Sequence, residues 1–341
     1  MRVGILGAGS IGCYIGAHLV RAEVATVLIG RQRLRDELAT HGMRVTDVEG
    51  GDFKLSADAL DVDTDPMRLG ECDLILVTVK SADTAAAAAA LSRLPEREGR
   101  CVISFQNGVR NADQLREVVR SATVLAGMVP WNVVWKAGAH FHRGTSGELM
   151  IEKLGTAAVE AAALLERAGL RTELRADLRD VLWGKLLLNL NNPVNALSGL
   201  PLRQQLATRG YRRIVAALMR EALQVMRAAD VRPAKAARLP PSWIPRVLDL
   251  PDALFLRVAG AMLRIDPEAR SSMWEDLQRG RVTEVEFING EVVRLARSIG
   301  RQAPLNQAMV ALVREVETLP LGSSASYSAG SLAAALKQRG G

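Results

Sequence analysis

Six residues near the start of the chain, Gly7-Ala8-Gly9-Ser10-Ile11-Gly12, restrict the fold more than any other feature of the sequence. They follow an apolar, β-rich run, Arg2–Leu6, and lead directly into a helical pattern, the context that gives a GxGxxG spacing its meaning. In such a strand–turn–helix unit Gly7 allows the tight turn, Gly9 lets an anion approach the backbone, and Gly12 lets the helix lie close on the strand. The unsatisfied N–H groups at the helix start, those of Ser10 and Ile11 among them, then hold that anion. The same apolar opening could pass for a secretory signal, but its glycine spacing and the missing small-residue cleavage site argue against one.

Behind this unit, short β-rich runs alternate with helical patterns. Arg2–Leu6, Val24–Ile29, Asp73–Val79, Cys101–Phe105 and Val124–Val129 read as strands, and the first four are followed by helical stretches. That alternation predicts an α/β domain over residues 1–175, a doubly wound parallel sheet covered on both faces. A hairpin-like patch around Ala139–Arg143 and Glu148–Glu152, a helix near Ala157–Ala168 and a strand near Arg171–Leu174 would complete it. From about Asp177 the pattern takes the helical period, as in Val181–Leu190, Tyr211–Ala229 and Glu275–Arg297, so residues 176–341 are expected to form an all-helical second domain. Six prolines between Pro233 and Pro267 suggest loops and short helices there, and the Ser/Gly/Ala-rich tail after about residue 320 is expected to be loosely held.

Composition narrows the function classes. With 48% hydrophobic and 24% charged residues over 341 positions, the chain has the apolar content of a core-forming protein and the length of two domains. No apolar run reaches the roughly 18 residues of a membrane span. Cys13, Cys72 and Cys101 are widely separated and without CxxC spacing, which gives no disulfide framework and no metal site and fits a cytoplasmic protein. The segment Arg203–Arg238 holds nine basic residues against Glu221 and Asp230, a local +7 that equals the net charge of the whole chain. Arg209, Arg213, Arg220 and Arg227 lie along one helical face opposite Ile214, Leu218, Ala222 and Val225, so the charge reads as a solvated helix face. Without aromatic interleaving or a binding motif it does not point to nucleic acid.

The second strand ends in Gly30-Arg31-Gln32-Arg33, where a dinucleotide site selecting NAD would carry a carboxylate for the ribose 2′-hydroxyl. A carboxylate would repel a 2′-phosphate, whereas the Arg31 guanidinium can pair with it, so NADP(H) is the expected cofactor. Among the seven lysines two stand out. Lys80 follows the run Asp73–Val79 at the carboxyl edge, where doubly wound sheets bind ligands. Lys185 lies inside the apolar stretch Trp183-Gly184-Lys185-Leu186-Leu187-Leu188-Asn189-Leu190, where burial would lower its pKa towards acid–base use. On one continuous helix Lys185, Asn189 and Asn192 fall within an arc of ~60°.

Taken with Val79-Lys80, Gln106-Asn107-Gly108, Ser271-Ser272-Met273 and Thr283-Glu284 leading into Ile288-Asn289-Gly290, these pieces resemble the ketopantoate reductase (2-dehydropantoate 2-reductase) family, from the first strand to about Glu317. The resemblance implies a Rossmann domain joined to a helical domain, with the active site in the cleft between them. By the resemblance, Lys185 would be the general acid and Glu284 would orient the site. Asn107 and Lys80 would hold cofactor and substrate in register, and Asn189, Asn192 and Ser272 would bind the substrate. Asn192 stands three residues after Asn189, one short of the family's usual spacing, and is followed by Pro193, so which of Asn191, Asn192 and Asn195 meets the substrate stays open. A small 2-keto acid is the expected partner, ketopantoate first, and exposed apolar helix faces could form a homodimer. Two rivals keep the fold: a reductase of another 2-keto acid or an imine, and a non-catalytic NADPH sensor. Lys185 and Glu284 argue against the sensor, which needs no proton donor.

Overall fold

Runs such as Val3–Leu6 and Leu74–Val77 have no polar face, so each is stable as a strand only where both sides are covered. The computed structural model describes all residues except 236–238, 259–267, 321–325 and 341, and its contacts divide the chain into Met1–Arg179 and Asp180–Gly341.

The first unit runs β1 (Val3–Leu6), α1 (Ser10–Arg21), β2 (Thr26–Ile29), α2 (Gln32–His41), β3 (Met43–Asp47), β4 (Asp52–Leu55), β5 (Asp61–Asp63), β6 (Leu74–Val77), α3 (Thr84–Ser92), β7 (Cys101–Ser104), α4 (Asn111–Val118), β8 (Thr123–Met128), β9 (Val133–Lys136), β10 (His140–Arg143), β11 (Leu149–Glu152), α5 (Gly155–Arg167) and β12 (Thr172–Arg175). Eight strands form one sheet in the order β12-β11-β8-β7-β6-β1-β2-β5. All neighbours are parallel except β11 and β8. The order turns back at β1, with β2 on one side and β6 on the other, and that reversal is where a doubly wound sheet opens a crevice for ligands. Alternate side chains serve opposite faces: Ile5, Leu74, Leu76 and Ile103 pack with Tyr14 and Ile15 of α1 and Leu165 of α5. Ile29, Ile75, Val77 and Val102 pack with Ala87 and Leu91 of α3 and Leu115 of α4.

The expected hairpin is not formed. β10 pairs with β9 and β3 in a separate four-stranded sheet, β4-β3-β10-β9, while β11 crosses to the large sheet and pairs with β8 and β12. Phe141 and Val45 of the small sheet join the core beneath α1. Its β3 and β4 carry Arg44, Asp47, Asp52 and Lys54 on exposed or half-buried positions, which hides their strand character in the sequence.

The second unit is helical throughout its described residues: α6 (Leu178–Asn189, starting just ahead of the unit), α7 (Asn191–Ser198), α8 (Leu202–Ala207), α9 (Arg209–Ala228), α10 (Ile244–Leu248), α11 (Asp252–Val258), α12 (Ser272–Gln278), α13 (Val285–Ser298), α14 (Pro304–Glu317) and α15 (Ala329–Gly340). The stretch Glu275–Arg297 is two helices, because Gly280 takes a φ of 59° and ends α12. The tail differs from expectation too. Its described part carries α15, which buries Leu332 and Leu336 and packs on α9 and α14. In the Pro-rich segment α10 and α11 are short as expected; residues 236–238 and 259–267 of that segment lie outside the described residues. No helix among the described residues is long and apolar enough to cross a membrane.

Arg209, Arg213, Arg220 and Arg227 do line the exposed face of α9, and Arg213 and Arg220 pair with Asp249 just past α10. Arg212 behaves differently. It is fully buried, donating to the carbonyls of Leu206 and Ala207 (both 3.0 Å), Leu248 (3.0 Å) and Leu250 (2.9 Å), and to Asp252 (2.8 Å), with its guanidinium 4.1 Å from the centre of the Phe255 ring. One side chain thus satisfies the C-terminal carbonyls of α8 and α10 and anchors the start of α11. Arg212→Leu leaves those carbonyls without donors and is expected to lower unfolding free energy in urea by about 3–5 kcal/mol. A loss below about 1 kcal/mol would mean that the carbonyls find other donors.

Candidate active site

At the reversal point of the large sheet, Gly7 has a φ of 95°, and a Cβ there would stand 2.6 Å from the backbone nitrogen of Val79. The turn is held by Ile29 at the end of β2, whose carbonyl accepts from the N–H groups of Gly7 (3.0 Å) and Ala8 (2.8 Å). Gly12 sits where a Cβ would meet the Thr78 hydroxyl at 2.6 Å, so the helix lies as close as its backbone permits. Gly9 is the opposite case. A Cβ there would find only the Gly7 carbonyl, at 3.9 Å, leaving the approach to the N-terminus of α1 open. No side chain caps that terminus, and the first-turn N–H groups of Ser10, Ile11 and Gly12 have no acceptor within the helix. An open approach, bare donors and the positive end of a helix are what a pyrophosphate requires. Arg31 lies exposed at the end of β2, as the residue that begins α2.

Lys80 lies beyond β6 and begins a short 3₁₀ turn, Ser81–Asp83; Asn107 lies beyond β7, and both are half-buried. A chain of buried polar side chains ties these two loops together. The Ser81 hydroxyl and the Asn111 amide both donate to the Asn107 carbonyl, and Asn111 also donates to the Ser81 oxygen (3.2 Å). Thr84 donates to the Ser81 carbonyl (2.8 Å) and accepts from the Gln106 amide (2.8 Å), which in turn accepts from the Ser104 hydroxyl (2.9 Å). Thr78 bonds the Gly7 carbonyl at 2.8 Å. Sequence reasoning singled out Lys80 and Asn107 but missed Thr78, Ser81, Thr84 and Asn111. The available signal was their polarity beside the carboxyl ends of apolar strands.

In the second unit Lys185 and Asn189 share α6, four residues apart and so on one face. Asn192 belongs to α7, because the helix breaks at Leu190. The cause is Pro193, which has no N–H to offer the Asn189 carbonyl. Both asparagine side chains are half-buried, and neither makes a hydrogen bond among the described residues. Asn191 accepts from Gln205 (3.1 Å), and Asn195 is fully buried with its amide engaged at both ends. Of the three alternatives left open by the sequence, Asn192 is therefore the one with an uncommitted amide. Ser272 is exposed at the first position of α12, while its neighbour Ser271 is buried and caps the helix.

Burial lowers the pKa of Lys185 from its ordinary 10.5 to about 8, and the Glu284 carboxylate opposes the shift. Glu284 is half-buried and begins α13. The preceding Thr283 donates its N–H to Glu317 (2.8 Å), which fixes the chain ahead of Glu284 to α14. A half-buried ammonium that releases its proton near pH 8, with a carboxylate acting on it and an amide on its own helix face, can give a proton to a developing oxyanion.

The family described as "Ketopantoate reductase PanE/ApbA" matches residues 3–155, and its C-terminal counterpart matches residues 177–317. The chain belongs to the ketopantoate reductase family. Within this oxidoreductase family, a 2-dehydropantoate 2-reductase of Halobacterium salinarum is 30% identical over 325 residues, covering 92% of this chain and 98% of that protein. A 2-dehydropantoate 2-reductase of Archaeoglobus fulgidus is 29% identical over 322 residues, covering 93% and 98%. Among solved structures, the PanE/ApbA family ketopantoate reductase from Ralstonia eutropha aligns with a TM-score of 0.79 and 30% identity over 93% of this chain and 98% of that one.

Lys185 should accordingly be seen to titrate near pH 8 when its ε-methylene signal is followed by NMR in ¹³C-lysine-labelled protein. Because the Glu284 carboxylate raises this pKa, Glu284→Gln should move the titration to lower pH. An unchanged midpoint would remove Glu284 from the environment of the ammonium.

Proposed function

We propose that the protein reduces ketopantoate to pantoate with NADPH, Lys185 being the proton donor. The observation that carries this reading is the Lys185 ammonium, its pKa lowered to about 8 by burial and acted on by Glu284, on the helix face that also bears Asn189. Reduced nicotinamide, when bound, supplies the hydride for the C2 carbonyl carbon. As the carbonyl's electron pair moves onto oxygen, the Lys185 Nζ–H gives its proton to that oxygen and the product leaves as a 2-hydroxy acid. Below pH 8 the lysine is charged and able to donate; above it the donor is lost, so reduction is expected to slow on the alkaline side. Glu284 keeps the ammonium charged and oriented. Asn189, Asn192 and Ser272 offer neutral hydrogen bonds to the carboxylate and hydroxyl of the keto acid.

For the cofactor, the open Gly9 approach, the bare first turn of α1 and the exposed Arg31 support NADP(H), the last by pairing with a 2′-phosphate. Residues 1–175 then act as the cofactor domain, with Gly7, Gly9, Ser10, Ile11, Gly12, Arg31, Lys80 and Asn107 as its contacts, and residues 176–341 as the substrate domain. The buried, free thiols of Cys13, Cys72 and Cys101 support a cytoplasmic setting.

A site that hydrogen-bonds a substrate hydroxyl discriminates against analogues lacking it, since its own buried groups are left unpaired. The kcat/KM for ketopantoate is expected to exceed that for 2-ketoisovalerate, which has no hydroxyl, by at least about 10²-fold. In the same assay Lys185→Ala should lower kcat by about 10²–10⁴-fold while NADPH still binds. Comparable rates with the two acids would move the assignment to a general 2-keto acid reductase, and NADPH binding without turnover would favour a sensor. Arg31→Ala should raise the KM for NADPH tenfold or more and leave NADH use little changed, the loss of a charge-assisted contact of roughly 1.5–3 kcal/mol. Equal responses of the two cofactors would exclude Arg31 as the selector.

A further inference from the structure

Asn195 has no exposed surface, yet its side-chain amide makes two hydrogen bonds, each to backbone. Its Nδ2 donates to the Leu200 carbonyl (3.0 Å), just past the end of α7, and its Oδ1 accepts the Ser271 N–H (2.8 Å), at the start of α12. Ser271 completes the link. Its hydroxyl donates to the carbonyl of Asn192 (3.2 Å) and accepts the N–H of Trp274 (3.2 Å), capping α12. Two further contacts run beside it: Leu202 N–H to the Ala269 carbonyl (2.8 Å), and the Arg270 guanidinium to the Gly199 carbonyl, with Arg270 stacked 4.3 Å over the Trp274 ring.

These bonds place the start of α12 against α7 at one register. Asn192 and Ser272, proposed above as substrate contacts, sit on either side of the link. A helix as short as α12 has little stability of its own, so its position depends on such bonds. We infer that Asn195 is a positioning residue for the keto acid: it touches no substrate, and it fixes the distance between Asn192 and Ser272 by holding Ser271 on α7. This inference rests on the substrate contacts assigned under the proposed function. Sequence spacing left Asn195 as a third candidate contact; its burial and two-sided bonding give it this other role.

The test compares steady-state constants of the wild-type enzyme with those of Asn195→Leu, which keeps the number and branching of the side-chain heavy atoms and removes both bonds. The expected result is a KM for the keto acid raised tenfold or more, with the KM for NADPH and kcat within threefold of wild type. A keto-acid KM within threefold, or a joint worsening of all three constants, would overturn the inference. Should that variant not fold, Asn195→Asp serves. Protonated, its carboxyl can donate to Leu200 and accept from Ser271 as the amide does; ionised, it repels the Leu200 carbonyl. Its keto-acid KM relative to wild type at the same pH is expected to be tenfold or more at pH 8, where the carboxylate is ionised, and to fall as pH is lowered towards the carboxyl's pKa; a ratio near one at pH 8 counts against Asn195. If wild type does not reduce ketopantoate, the substrate reading fails on its own, and the comparison is made with whichever 2-keto acid it reduces. If it reduces none, amide hydrogen exchange over residues 271–275 decides. Tenfold faster exchange in the variant, with α9 unchanged, supports the positioning of Ser271, and equal exchange overturns it.

Discussion

Drawing a cation out of water makes its charge costly, and the second unit holds two cations in which that cost is met differently. Arg212 is given acceptors. Four carbonyls and one carboxylate surround its guanidinium, and through them α8, α9, α10 and α11 share a single anchor. Lys185 is half-buried, and burial holds its pKa at about 8 against the raising effect of the Glu284 carboxylate. Between pH 8 and 10.5 the unfolded chain holds that proton more tightly than the folded one, so the folded state gains stability as pH rises through this window and bears the full cost of the charge below it. The chemistry assigned to Lys185 needs that charged form. Under the proposed function, local stability is given up where a proton has to leave readily.

The first unit solves a related problem without charge. The carboxyl ends of β1, β6 and β7 carry the residues expected to meet the cofactor, and loops there would be free to move if only their apolar neighbours held them. Thr78, Ser81, Thr84, Gln106 and Asn111 instead bond those loops to one another, largely through backbone carbonyls. Neutral hydroxyls and amides suit this role next to an anion site, since they fix geometry without adding charge that would compete with the ligand.

Much of this was legible in the sequence, for reasons that differ by element. The centre of the large sheet was readable because β1, β2, β6 and β7 are buried on both faces and its turn needs glycine at Gly7, Gly9 and Gly12, whereas β5, Asp61–Asp63, is too short and polar to read as a strand. The small sheet was not, since β3 and β4 mix charged and apolar residues, and the eventual partners of β10 and β11 depend on pairing across the chain rather than on local pattern. Lys185 and Asn189 were readable as polar residues in an apolar helix. The break at Leu190 could be suspected from Pro193, but which asparagine it would leave uncommitted depended on Gln205 and Ser271, far away in sequence. Arg212 was hidden among the exposed arginines of the same helix. Helical period alone places it near the boundary of the polar face, and only its neighbours α8, α10 and α11 decide that it is buried.

The docking of α15 bears on how the second unit is made. Tyr211 donates its hydroxyl proton to the Tyr327 carbonyl (2.7 Å), and Tyr327 N–H bonds the Leu197 carbonyl (2.8 Å), so the segment ahead of α15 is tied to α7 and α9, while α15 buries Leu332 and Leu336 and packs on α9 and α14. During synthesis these earlier helices emerge well ahead of the segment that covers them. The apolar surface of α9 and α14 that α15 covers stays open until residues 327–336 have cleared the ribosome.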